Sequence, residues 1–159
     1  MNFSYNIMMS NLISLKKIYP FLKIGYIGES VLKRPIPYVK IGIGKKQILY
    51  NSAIHANEWI TALLSMRFIE NFAKAYVQNR KISGYKARSL HKECSLYIIP
   101  MMNPDGVDLV NGVLKKSSKE YQNIKMISKC YPKIAFPSGW KANFKGVDLK
   151  NFQPLCKVL

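Results

Sequence analysis

Residues 46–60 read KQILYNSAIHANEWI. The first half, with Ile48, Leu49 and Tyr50, has the apolar and aromatic content of a β-strand running to about residue 54. From residue 57 to about residue 77 the period becomes helical. Ile60, Leu64, Phe68 and Phe72 fall on one stripe, and Leu63, Ile69, Ala73 and Tyr76 widen it. Such a helix is expected to press that face onto a sheet. The switch from strand to helix falls on His55-Ala56-Asn57-Glu58.

Working outward, residues 1–20 carry Met8, Leu12, Leu15 and Ile18 at helical spacing, with Pro20 as a stop. Residues 22–27 read as a strand ended by Gly28, and residues 36–43 as a second strand among Pro35, Pro37, Gly42 and Gly44. The link 42–46 is expected to be a hairpin turn. Residues 79–88 form a polar loop leading to a short helical turn. Residues 95–101, SLYIIPM, are a continuous apolar run of the kind buried on both faces of a sheet. A helix is expected from Ser118 within the basic stretch 113–130, and beyond Tyr131 the prolines at 132, 137 and 154 mark irregular chain. This order predicts an α/β fold, a three-layer sandwich with a mixed β-sheet flanked by helices, as one domain over residues 1–159.

The composition, 48% hydrophobic and 21% charged, is that of a globular chain. No apolar run reaches the ~18 residues of a membrane span. The N-terminus lacks a basic start, an apolar run and a small-residue cleavage site, so no signal peptide is read there. Cys94, Cys130 and Cys156 are odd in number and contain no C-x-x-C pair. That speaks against a disulfide framework or a cysteine zinc site, and a cytoplasmic setting is the simplest fit. Cys94, opening an apolar run, is expected to be a buried small hydrophobe. Twenty-five Lys and Arg against eight Asp and Glu give a net charge of +17, which invites an anionic partner such as nucleic acid, a membrane surface or an anionic wall polymer, although scattered, solvated basic residues account for it more simply. The basic residues occur as scattered doublets, such as Lys45-Lys46 and Lys115-Lys116, without a nucleic-acid reader motif. A nucleic-acid partner is therefore not expected.

His55 offers an imidazole nitrogen and Glu58 a carboxylate, both good zinc ligands, at a rigid and exposed junction. H-x-x-E alone recurs by chance, as an incidental histidine beside a capping glutamate. Here the second histidine of H-E-x-x-H is missing, and Trp59 excludes H-x-x-E-H. A third ligand has to come from a distant part of the sequence. Three further segments sharpen the pattern. Gly25 to Gly42 contains Gly28-Glu29-Ser30 and Arg34-Pro35-Ile36-Pro37. Residues 46–60 are quoted above. Pro100 to Gly106 reads PMMNPDG.

Together these resemble the zinc carboxypeptidase family over roughly residues 20–150, departing at Lys33, where a glycine is usual. The wording SAIHANEWIT and WKANFKGVDL is most similar to bacterial γ-D-glutamyl-diaminopimelate peptidases, which cut peptidoglycan stem peptides. The resemblance implies Zn2+ held by His55, Glu58 and a later histidine. It also implies a metal-activated water, a later glutamate as general base, and a cation near the metal that stabilises the oxyanion. Lys141, after Trp140, stands where that cation belongs, though arginine is usual there. Lys150 and Asn151 are loose equivalents of the residues that grip a substrate carboxylate, since Gly146-Val147-Asp148-Leu149-Lys150-Asn151 is one residue short of the family wording. The second zinc histidine and the base belong beyond Leu159. His91, in a polar stretch before the apolar strand, is expected away from the ligand pair. The expectation is a zinc peptidase chain truncated at the C-terminus, for example by a frameshift or early stop near Lys150. The alternative is a catalytically incomplete remnant or a non-enzymatic binding protein with a basic surface.

Overall fold

Ser4 opens the first helix. Its hydroxyl accepts the amide hydrogen of Ile7, capping α1 (Tyr5–Ile18), whose Tyr5, Met8 and Leu12 are buried. The computed structural model describes residues 3–151 and 153–154. After Pro20 come β1 (Lys23–Glu29) and β2 (Pro35–Ile41), an antiparallel pair in which Gly25 faces Tyr38. Gly28 sits inside an irregularity of the ladder between Tyr26 and Glu29 and does not end the strand. β3 (Lys46–Asn51) leads through a 3₁₀ turn, Ala56–Glu58, into α2 (Ile60–Val77). The expected polar loop contains a small hairpin, β4 (Lys81–Ile82) and β5 (Tyr85–Lys86), turning on Ser83 and Gly84, both with positive φ. Then follow α3 (Ala87–Glu93), β6 (Cys94–Ile99), α4 (Pro104–Val110), α5 (Lys119–Ser128), β7 (Val147–Asp148) and β8 (Gln153–Pro154). Ser118 caps α5 where that helix was expected to begin.

The main sheet has the order β1-β2-β6-β3. β6 pairs antiparallel with β2, Val39 facing Ile98, and parallel with β3, Ile48 facing Leu96. The sheet is thus mixed and flanked by helices, as the sequence predicts, and its central apolar strand is the expected one. The link 42–46, however, is not a hairpin turn. β6 lies between β2 and β3, and the chain crosses its start: Ile43 donates to the carbonyl of His91 and Gly44 to that of Cys94. Side chains at Gly42 and Gly44 would collide with the backbone there, which is why the doublet of glycines looked like a turn.

α2 also departs from expectation. Its buried residues are Ala62, Met66, Ile69, Phe72, Ala73 and Ala75, whereas Ile60 and Leu64 are 55% and 70% exposed. The helix is apolar on most of its circumference, so periodicity alone could not choose a face. Ala62, Ala73 and Ala75 let the backbone approach closely, and the bulkier Ile60, Leu63 and Leu64 point outward.

A buried polar network ties three segments together. Asp105 accepts from Ser30 Oγ and the Leu32 amide, both at 2.9 Å. Arg34 reaches Asp108 at 2.6 Å, and Asp108 also accepts from the Tyr5 amide at 2.9 Å. Burial pushes the Asp105 carboxyl above its ordinary range despite these donors and Arg34. The loop between β1 and β2 is therefore fastened to the start of α4. Within that loop Lys33 has φ 62°, a conformation costly for a side chain bearing Cβ and free for glycine. Its ion pair with Glu29 is exposed and contributes little.

Two measurements follow from this architecture. Lys33→Gly should stabilise the chain by up to about 1 kcal/mol, read by denaturant unfolding; a loss of stability would contradict the strain at residue 33. Among the described residues β3 forms one margin of the sheet, with Leu49 and Tyr50 62% and 54% exposed, a template for association. The purified chain should aggregate on heating and Leu49→Lys should reduce this, whereas a sharp, reversible melt of the wild type would contradict it.

Candidate metal centre

Two residues past β3 the backbone takes a costly conformation. Ala53 has φ 48° although it is buried and bears a Cβ. It is held from three sides. Its amide donates to Thr61 Oγ1 at 2.8 Å, its carbonyl accepts from the Asn103 amide at 3.0 Å, and Ser52 exchanges backbone bonds with Ile99 and Met102. Strain kept in place by surrounding bonds turns the chain from the sheet toward the corner where His55 stands.

His55 is extended (φ −84°, ψ 138°), and the next residues wind as a single 3₁₀ turn closed by the Glu58 amide donating to the His55 carbonyl at 3.1 Å. In a 3₁₀ turn residues three apart eclipse one another. His55 Nδ1 and Glu58 Oε1 consequently lie 2.8 Å apart. The sequence places the helix start here but not the tighter winding that aligns the pair. Thr61 Oγ1 donates to the Glu58 carbonyl at 2.7 Å and fastens the turn to α2.

The opposite ring nitrogen, His55 Nε2, is 3.4 Å from Asp148 Oδ1. Burial opposes the Asp148 charge, but the Lys150 amide and His55 outweigh it, and the carboxyl is held below its ordinary range. A carboxylate behind the imidazole helps to orient the ring, while Nδ1 is the nitrogen that shares a hydrogen bond with Glu58. Sequence reading missed Asp148; the only available signal was its place in the GVDL segment.

Lys141 is brought to the same corner. Its carbonyl accepts from the Ala56 amide at 3.0 Å, and the buried Trp140 anchors the residue before it. The Lys141 side chain is exposed. Lys150 and Asn151 flank Asp148. The Lys150 amide donates to Asp148 Oδ1 at 2.9 Å, and Asn151 Nδ2 donates to Oδ2 at 3.3 Å. Of the five residues singled out from the sequence, His55 and Glu58 meet side chain to side chain, Asn151 reaches the corner through Asp148 with its amide already engaged, and Lys141 and Lys150 are joined to it by backbone bonds. His91 lies on α3, packed against Tyr76 and Phe21 with ring centroids 4.5 and 5.9 Å away, and burial lowers its basicity. Cys94 is buried, and Cys156 lies outside the described residues.

Does this corner suit zinc? Donor types and direction fit. Two atoms bound about 2.0–2.1 Å from one tetrahedral ion lie roughly 3.3 Å apart, a small opening of the present pair. Among the described residues no group of three or more His, Cys, Asp or Glu is assembled for a metal. The described residues thus bring one imidazole and one carboxylate together at this corner, with no third such group beside them.

Comparison with known proteins agrees with this geometry. The family model of zinc carboxypeptidases matches residues 8–155. The chain is 41% identical over 154 residues to γ-D-glutamyl-L-diamino acid endopeptidase 1 of Lysinibacillus sphaericus, covering 96% of this chain and 38% of that protein. It is 33% identical over 144 residues to YqgT of Bacillus subtilis, covering 89% and again 38%. Among solved structures, bovine thrombin-activatable fibrinolysis inhibitor superposes with TM-score 0.60 at 22% identity, over 90% of this chain and 37% of that one, a likeness of fold. The chain spans 38% of the length of the two relatives. With the family's H-x-x-E pair converging at the end of its strand, the chain belongs to the zinc carboxypeptidase family.

Proposed function

We propose that this chain carries the first two zinc ligands of a metallopeptidase acting on γ-D-glutamyl-diaminopimelate links of peptidoglycan stem peptides. The observation that carries the reading is the convergence of His55 Nδ1 and Glu58 Oε1 on one side of a fixed turn. Zinc, when bound, would supply Lewis-acid polarisation and a water acidic enough to attack a peptide carbonyl. The substrate class is supported by the 41% identity to a γ-D-glutamyl-L-diamino acid endopeptidase.

The chain's own residues divide the remaining work. Asp148 stands behind His55 Nε2 and orients the ring; with zinc bound, the proton would sit on Nε2 toward Asp148 and leave Nδ1 as the ligand. The 3₁₀ turn and Thr61 fix Glu58 beside it. Lys141, its backbone pinned to Ala56 and its side chain exposed, is the cation that would stabilise negative charge developing on a carbonyl oxygen. Lys150 offers a second exposed cation for a substrate carboxylate. Asn151, whose amide is spent on Asp148, braces the carboxylate behind His55. The net charge of +17 favours approach of an anionic wall fragment.

Elemental analysis tests the metal. The wild type should retain zinc after dialysis and His55→Ala should not; equal zinc in both would remove the reading. Asp148→Ala should weaken zinc binding about 10- to 100-fold while His55 and Glu58 remain, measured by competition with a chromophoric chelator. Substrate class is tested separately by release of diaminopimelate from a γ-D-glutamyl-diaminopimelate peptide, where zinc-loaded protein without turnover would leave a metal-binding chain that is not a peptidase by itself.

A further inference from the structure

Asn103 is 97% shielded from solvent by its surroundings, being 3% exposed, and all of its side-chain polar atoms are engaged. Its Oδ1 accepts from the Gly106 amide at 3.1 Å and caps α4. Its Nδ2 faces away from the helix and donates to the carbonyls of Ala142, at 3.1 Å, and Lys141, at 3.4 Å. The same Lys141 carbonyl accepts from the amide of Ala56, the residue after His55. Capping explains Oδ1. It does not explain two donor bonds to a segment 38 and 39 residues away.

A second contact points to the same place. Gly106 lies against the ligand turn so closely that a methyl group on it would come within 2.6 Å of Ala56 Cβ. The beginning of α4 therefore touches the ligand turn directly, through Gly106, and indirectly, through Asn103 and the Lys141 carbonyl. Position on one side and distance on the other are both set from α4. α4 is in turn fastened by Asp105 and Asp108 to the loop 30–34 and to α1.

We infer that Asn103 is a positioning residue for the metal centre: its carboxamide locks the 141–142 segment against Ala56, setting where His55 and Lys141 stand relative to one another. The inference rests on the zinc reading above. In it the N-P-D-G sequence serves the site as well as the fold. Asn supplies an acceptor for the helix and donors for the site segment, Pro starts the helix without an amide hydrogen to satisfy, and Gly clears room for Ala56.

Asn103→Asp separates the two roles, because it keeps the cap acceptor and replaces the donors with an oxygen that repels both carbonyls. Zinc affinity of the 159-residue chain is measured by titration calorimetry, and the zinc-induced displacement of the ring ¹H–¹⁵N signals of His55 is followed with His91 as internal reference. Asn103→Ser, which caps but is too short to reach residues 141 and 142, serves as a second variant. Ser118→Ala, which removes the α5 cap, is a control for general destabilisation. The expected result is zinc binding about tenfold weaker in both Asn103 variants, with an altered zinc-bound His55 signal, and unchanged affinity in Ser118→Ala. Affinities within twofold of wild type in folded Asn103 variants, or an equal loss in Ser118→Ala, would overturn the positioning role alone. Failure of the wild type to bind zinc would overturn the metal reading and this inference with it.

Discussion

A histidine and a carboxylate three residues apart share one metal ion only if the backbone between them turns tightly enough to bring both to the same side. An extended strand would place residues 55 and 58 on opposite faces, and a regular α-helix would leave them offset. The single 3₁₀ turn between them eclipses the two, and the strained Ala53 aims the turn out of the sheet. A lone turn is weak. This one is held by Thr61 from α2, by the Lys141 carbonyl on Ala56, and by Asp148 behind the imidazole.

The fold supplies those restraints from widely separated parts of the chain. β6 lies between β2 and β3 and runs parallel to β3, so the segments leaving the C-terminal ends of β3 and β6 emerge side by side. In their continuations the amides of Met102 and Asn103 donate to the carbonyls of Ser52 and Ala53. That places Asn103 beside the ligand turn. The buried Asp105 and Asp108 then connect α4 to Arg34, Ser30 and Tyr5. The lead-in loop, the ligand turn and the N-P-D-G segment, far apart in sequence, form one connected body. Their joint occurrence carried far more information than any of them alone for this reason.

Local chemistry made much of this legible. The 2-to-3.6 change of period at His55 located the corner, Pro35 and Gly42 marked the ends of β2, and SLYIIPM marked the central strand. Sheet order was not legible, because Gly42 and Gly44 look alike whether they make a turn or clear space for a passing backbone. The buried face of α2 was not legible either, since apolar residues surround it and only the elements packed against it decide which of them are covered. Asp148 and the donor half of Asn103 were invisible for a different reason. Each acts through a partner more than 35 residues away, and no local pattern records such a bond.

The account stands or falls on one ion between two side chains. Crystals of the chain soaked in zinc and measured on both sides of the zinc absorption edge would locate it directly. We predict an anomalous peak bonded to both His55 Nδ1 and a Glu58 carboxylate oxygen, with Asp148 still against Nε2. Zinc found elsewhere on the surface, with His55 and Glu58 still joined only to each other, would contradict the account.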